Sequence, residues 1–422
     1  MIRKKTDLLV IGAGLSGIMA AAAAARAGKK VMLVAGGEGV LGLTSGCIDL
    51  WGYRIDRKDE FCPGPREEIA RLVKVSPGHP YAVAQDALEE SIDFFLAICG
   101  EKGCSYRDNG GGNWILPTSL GTVRPTYLAP DGMAVNLTGF GRIVVVGFTE
   151  LKDFFPGMLV ANLTRNTDLT PGCELVSCMV SAGGKEMGPN TLAHRLEQPG
   201  VIQRVAAGIK KFVYPDTLIL LPPVMGEDLH RDIMNTLSGE LGCLAREVTG
   251  MPPALPGQRL HKALLGYIKD RGVEIVAGCT VKSAMVSNQH CRWVTASGAG
   301  STMQILAGAF VLATGSFLGG GLQALPGKLR ESIFDLPVET YGPEWSSADF
   351  LSTGGQPFSR FGIKVNNLLQ PVDKKGYPLL ENLLVAGSIL AGCNYPVEKC
   401  GGGVALSTGY KAGRLAGGMT CE

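Results

Sequence analysis

Gly12-Ala13-Gly14-Leu15-Ser16-Gly17 is the segment whose residue types and spacing point most directly to chemistry. Its first glycine permits a tight turn. Its second lets the backbone come close to a bound group, and its third lets the following helix pack on a strand. The free N–H groups at the helix start, those of Leu15 and Ser16 among them, then face an anion, and the aligned peptide dipoles favour negative charge there. A lone glycine triplet carries little weight. Here Asp7–Ile11 reads as a buried strand, Ile18–Ala27 as an alanine-rich helix closed by Gly28, and Lys30–Val34 as a second strand. Strand, glycine turn, helix and strand in that order make a nucleotide-binding unit.

The second strand of a dinucleotide site ends in Asp or Glu, which holds the ribose 2′-OH. Here that position is Ala35, and no carboxylate comes before Glu38. Either Glu38 reaches back, or the adenosine half of the ligand is absent. Two further segments narrow the ligand class. Phe310-Val311-Leu312 runs into Ala313-Thr314-Gly315, a strand end of the type that lies beside the nucleotide in two-dinucleotide-binding flavoproteins. Asn382–Gly387 (NLLVAG), with Ser388 after it, has the form of a last flavin-fold strand, and Gly401-Gly402-Gly403-Val404 then opens a helix. A helix start there would face the ring edge where negative charge develops on reduction. Thr44-Ser45-Gly46 follows the second strand, where such folds bend a loop toward the flavin. The missing acid at Ala35 points to FMN, with FAD as the alternative.

Acid–base candidates are few. His79 lies in a His-Pro-Tyr turn and reads as structural before catalytic. Arg124 could bind a phosphate or carboxylate. The other histidines show no paired spacing. The twelve cysteines include no C-x-x-C pair, so no zinc or iron–sulfur site is expected. They read as reduced, mostly buried thiols of a cytosolic protein. Cys400, beside the glycine run, is expected to pack near the flavin, with a redox role less expected than a packing one. A net charge of +2 gives no field for nucleic acid. No leader segment and no membrane-spanning helix are expected, so any membrane association would come through partners.

These elements imply an α/β fold, with a Rossmann-type flavin-binding domain of the two-dinucleotide-binding, fumarate reductase-like kind at 1–105 and 250–422. An inserted α+β domain, of cap or substrate type, is expected at 106–249.

The chain resembles the B subunits of the anaerobic glycerol-3-phosphate dehydrogenases. The resemblance rests on the GAGLSG opening, Thr44–Leu50 (TSGCIDL), His79–Tyr81, the loop LPTSLGTVRPTYL, Leu312–Leu322 (LATGSFLGGGL), Gly342–Trp345, and the ending ENLLVAGSILAG with CGGGV. It implies an FMN-containing electron-transfer subunit. The implied partners are an FAD-bearing catalytic subunit and an iron–sulfur subunit that docks on the cytoplasmic face of the inner membrane. The implied reaction oxidises sn-glycerol 3-phosphate to dihydroxyacetone phosphate with quinone as acceptor. Two other functions compete with it. One is a self-sufficient FAD oxidoreductase of the fumarate reductase type, which needs basic residues such as Arg124 and His79 at the flavin. The other is a nucleotide-binding module without turnover.

Overall fold

A computed structural model describes residues 2–419 except Thr167 and Ala299; Cys421 lies outside the described residues. The elements used below are β1 (Ile2–Ile11), α1 (Leu15–Arg26), β2 (Val31–Ala35), α2 (Pro65–Val75), α3 (Leu88–Glu101), β3 (Arg142–Phe148), β4 (Glu174–Val180) and α4 (Val201–Lys210). They continue with β5 (Thr217–Leu221), α5 (His230–Leu241), β6 (Leu244–Glu247), α6 (Leu255–Asp270), β7 (Glu274–Ala277) and β8 (Thr280–Ser287). The last are β9 (His290–Gly298), β10 (Ser301–Leu312), β11 (Leu383–Val385) and α7 (Gly401–Gly418).

The chain divides into two compact units. The first comprises Met1–Leu41, Ile48–Gly103 and His261–Glu422; the second comprises Gly42–Cys47 and Cys104–Leu260. The short loop at 42–47 thus groups with the inserted segment, although it follows β2 in sequence.

The first unit is built on a seven-stranded sheet in the order β7-β2-β1-β10-β9-β8, with β11 also paired to β10. β7, β2, β1, β10 and β11 run parallel, whereas β8, β9 and β10 form an antiparallel edge. The central parallel strands present apolar, buried stretches: Leu8–Ile11, Val31–Ala35 and Leu383–Val385 are all buried. Strands covered on both faces read that way rather than as alternating patterns. The alanines of α1 serve close packing, and Ala20, Ala21, Ala22 and Ala24 are fully buried.

The second unit holds a four-stranded, all-parallel sheet in the order β6-β5-β3-β4. Val144, Val145, Leu218 and Ile219 fill its core together with Val205 of α4 and Leu237 of α5. Short antiparallel pairs, Trp114–Pro117 with Val123–Thr126 and Tyr106–Arg107 with Ala129–Pro130, accompany the sheet.

Candidate functional site

In the first unit, register places Ile11, Val34, Leu312 and Val385 in one row at the ends of four parallel strands. The residues that follow are Gly12, Ala35, Ala313 and Ala386. Signals far apart in the sequence therefore meet at the carboxyl ends of the strands, where open α/β sheets bind ligands.

The glycines of the first turn divide by role. Gly12 has φ +116°, and a Cβ there would lie 2.3 Å from the Ala313 carbonyl oxygen; a Cβ on Gly17 would lie 2.0 Å from the carbonyl oxygen of Gly12. Both are needed for the backbone to close. Gly14 is different. It caps α1 in an ordinary extended conformation (φ −74°), and a Cβ there meets nothing within 4 Å. Gly14 borders open space at a positive helix end, as a phosphate site requires. Leu15 and Ser16 start α1 and are buried.

On the opposite side, the Thr314 hydroxyl is buried without a hydrogen-bond partner. Gly315 has φ +76°, and the hydroxyl of exposed Ser388 stands 3.6 Å from where its Cβ would be. Gly387 donates its N–H to the Thr408 hydroxyl at 2.9 Å and presses on Ser16. An orphaned hydroxyl beside an open helix end fits a ligand that carries both phosphate and hydroxyl groups, such as a flavin nucleotide.

α7 supplies a second positive helix end. Cβ atoms on Gly409 and Gly413 would each lie 2.3 Å from a carbonyl oxygen of α1, those of Ser16 and Ala20 respectively. The two helices therefore run parallel in close contact. Gly409 stands beside Ser16, one residue into α1 but eight into α7, so the start of α7 projects roughly 10 Å beyond that of α1 at 1.5 Å per residue. A phosphate at one helix end and an electron-rich ring edge at the other would be spanned by such an offset.

The sequence placed Gly402, Gly403 and Val404 against the ring. The Gly403 N–H instead donates to the Asp49 carbonyl (2.8 Å) and the Val404 N–H to that of Cys400 (3.0 Å), so neither is available to a ligand. Cβ atoms on Gly402 and Gly403 would meet Asp49 N at 2.8 Å and Tyr81 Oη at 2.1 Å. These glycines let the helix start press on Ile48–Leu50 and Tyr81. Gly403→Leu is therefore expected to displace the helix start by overpacking, at a cost of about 1–3 kcal/mol. Flavin affinity should fall about tenfold or more, read as the ratio of flavin to protein absorbance; unchanged occupancy would place this helix away from the ligand.

Two residues that sequence reasoning passed over or left open stand beside the glycine turn. A Cβ on Gly39 would lie 3.2 Å from the Ala13 carbonyl oxygen and from Gly14 Cα, so the Glu38–Gly39 loop folds back over the turn. His261 is buried, its Nε2 has no partner, and burial pushes its pKa down despite the opposing effects of Glu38 and an Ala13 backbone contact. No local motif marks His261, because α6 delivers it from a distant part of the chain.

Thr44, Ser45, Gly46 and Arg124 all belong to the second unit. Arg124 Nη1 donates to Ser45 Oγ at 2.8 Å, Gly46 N donates to Thr44 Oγ1 at 3.3 Å, and Tyr106 Oη donates to the Gly46 carbonyl at 2.6 Å. The arginine and the loop that the sequence treated separately form one local structure.

His79 is 3% exposed. Around it the structure gathers Cys393, Glu398 and Cys400, with one ligand-type atom from each within 4.8 Å of the others. The sequence held no sign of this group: the two cysteines are seven apart and His79 is remote, so no spacing rule applies.

The chain matches the FAD binding domain family over residues 7–404. It is 30% identical over 425 residues to the B subunit of the anaerobic glycerol-3-phosphate dehydrogenase of Vibrio cholerae serotype O1, covering 96% of this chain and 95% of that one. The probable B subunit of the same enzyme in Halobacterium salinarum is also 30% identical, over 98% of each chain. Among solved structures, 3-ketosteroid delta1-dehydrogenase from Sterolibacterium denitrificans aligns over 98% of this chain and 99% of its own, at 10% identity and a TM-score of 0.44. The glycine turn, the strand ends beside it and this full-length match to named relatives together establish that the chain is a flavoprotein-fold member of the family formed by the B subunits of anaerobic glycerol-3-phosphate dehydrogenases.

Proposed function

We propose that this chain is the FMN-bearing electron-transfer subunit of an anaerobic glycerol-3-phosphate dehydrogenase. The observation that carries the flavin reading is that open Gly14 and the unpartnered Thr314 hydroxyl both stand at the carboxyl ends of the parallel strands, with the second helix end roughly 10 Å further on. The N–H groups at the start of α1 would hold the phosphate. Thr314 and Ser388 would reach its hydroxyl-bearing arm, and the start of α7 would favour negative charge on the ring edge. A bound flavin would supply two-electron redox chemistry.

On this reading the substrate is oxidised on an FAD-bearing partner, and an iron–sulfur partner passes electrons to quinone at the cytoplasmic face of the membrane. Among the described residues no helix is long and apolar enough to cross a membrane. Phe350 and Leu351 are 86% and 82% exposed, apolar area of the kind a partner chain covers.

FAD is the second reading, and the Glu38–Gly39 loop favours it. Folded over the glycine turn, it brings a carboxylate near the place where Ala35 offers none. The mass of the flavin released by denaturation separates the two. FMN is expected; release of FAD would overturn the mononucleotide reading and assign Glu38 to the ribose, in which case Glu38→Gln should weaken FAD binding.

The accessory role has its own test. Flavin-loaded chain, assayed alone with glycerol 3-phosphate and a soluble quinone analogue, is expected to turn over at least roughly a hundredfold below the 1–10³ s⁻¹ of typical enzymes. Turnover within that range would favour the self-sufficient oxidoreductase.

A further inference from the structure

Three segments of the first unit are tied together around His79. Glu398 Oε2 receives the Asn394 N–H at 2.8 Å and lies 3.4 Å from His79 Nε2 and 3.6 Å from Cys400 Sγ. The Glu398 carbonyl receives the Gly52 N–H at 2.9 Å. Trp51 meets the His79 ring edge-on at 5.9 Å, and Tyr81 stacks on it at 5.2 Å. Within this enclosure the Cys393 and Cys400 sulfurs are 3.3 Å apart. Both cysteines are buried, Cys400 fully.

We infer that Cys393 and Cys400 form a redox-active dithiol, converted reversibly to a disulfide by exchange of an electron pair with the flavin of the same unit.

The geometry suits this chemistry. A disulfide needs sulfurs about 2.05 Å apart, so closure takes a movement of little more than an ångström in a loop that leads directly into a helix. Cys400 caps α7, and a helix N-terminus stabilises a nearby thiolate. The hydrogen bond from Cys400 holds Cys393 below the usual thiol range, with His79 adding to it against the effect of burial. Burial drives Cys400 the other way, well above that range. A thiol that ionises more readily beside one that holds its proton suits oxidation to a disulfide.

His79 fits the same picture better than it fits a metal. Its Nδ1 accepts the Tyr81 N–H at 3.2 Å, which in the neutral ring leaves the proton on Nε2. A protonated Nε2 can donate to sulfur or carboxylate, whereas a metal would need its lone pair. Nε2 has no hydrogen bond of good geometry, and it faces Glu398 Oε2 at 3.4 Å with the two sulfurs close by. Burial opposes the imidazolium, but Cys393 and Glu398 outweigh it and push its pKa up to about 9. The imidazolium and the Tyr81 contact exclude each other at Nδ1. The Tyr81 contact is made while the sulfurs stand unbonded at 3.3 Å, and protonation of Nδ1 would break it.

The balance closes. The Cys393 thiolate and the Cys400 thiol lose one proton and two electrons and form the S–S bond. Glu398, 3.6 Å from Cys400 Sγ, takes the proton first. A bound oxidised flavin would supply the two-electron acceptor, with room for the electron pair and one proton. Reduction of the disulfide is the reverse.

The electron acceptor rests on the flavin reading above; the dithiol itself does not. The test therefore has two arms. In the first, whole chain is incubated with diamide or with dithiothreitol, then denatured, alkylated and mapped by mass spectrometry. A Cys393–Cys400 linked peptide in the oxidised sample, absent after reduction, is expected. Both cysteines alkylated in both samples would overturn the proposal. So would one equivalent of zinc in the purified protein that Cys393→Ser releases, since the cluster would then be a metal site. In the second arm, oxidised flavin-loaded protein is titrated anaerobically with dithionite. It should take up about four electrons per flavin, two for the flavin and two for the disulfide. Cys393→Ser and Cys400→Ser should each take up about two electrons per flavin bound. Two electrons in the wild type beside a mapped disulfide would overturn the exchange with flavin. A chain that carries no flavin at all would instead sink the cofactor reading, while the peptide map still decides on the dithiol.

Discussion

Gly14→Val is expected to give a folded protein that retains no flavin. Its backbone has an ordinary extended φ of −74°, and a Cβ at this position meets nothing within 4 Å. Folding therefore loses little beyond the poorer helix cap, about 1 kcal/mol, and the melting temperature should fall by only a few degrees. The new side chain would fill the space through which the helix N–H groups reach a phosphate. Flavin content at matched protein concentration should drop more than tenfold, a loss of more than about 1.4 kcal/mol. Gly12→Val is the control that separates binding from folding. There φ is +116° and the Cβ would sit 2.3 Å from the Ala313 carbonyl oxygen. Strain and overlap together should cost at least about 3 kcal/mol and reduce soluble yield. A folded Gly14→Val with wild-type flavin content would remove the ligand from this turn.

The parts of the site legible in the sequence were those that depend on backbone alone. A glycine turn between two apolar runs states its own geometry, because Gly12 and Gly17 leave no room for a side chain. The strand ends at Ala313 and Ala386 were legible for the same reason. What chain order hides is the set of contacts made by side chains delivered from afar. His261 reaches the turn from within α6, and the loop at Glu38–Gly39 folds back where an acid at position 35 was looked for. The His79 group joins three segments with no shared period. The α7 glycines were legible as a helix start but not as packing residues. Their contact with Tyr81 and Asp49 depends on where a loop some 320 to 350 residues earlier comes to rest.

Glu247→Gln is expected to destabilise the second unit by about 3–5 kcal/mol, the cost of breaking a buried ion pair from one side. Glu247 ends β6 at 1% exposure. Arg259 grips it with two hydrogen bonds, at 2.8 and 3.0 Å, His230 Nε2 stands 3.0 Å away, and the Met225 N–H donates to it at 2.8 Å. Burial raises the carboxyl pKa, but the Arg259 charge and then His230 overcome it and hold the group far below the usual carboxylate range. The sign of the pH effect follows. A carboxyl whose folded pKa is depressed contributes stability that is fully present above its unfolded pKa, about 4.3 for Glu. That contribution is lost as pH falls from there toward the folded value, because the unfolded chain then binds the proton more readily. The wild type should therefore lose stability on acidification below about pH 4–5, whereas Glu247→Gln should start lower and change less over the same range. Denaturant unfolding at pH 7 and at pH 4 measures both. Because glutamine keeps the shape and can still accept from Met225, a large loss at neutral pH would come from the uncompensated Arg259 charge rather than from a cavity. A substitution that changes stability by less than about 1 kcal/mol at pH 7, with the same acid dependence as wild type, would show that the guanidinium and carboxylate are solvated well enough to part without cost, and that β6 is held to the first turns of α6 by packing instead.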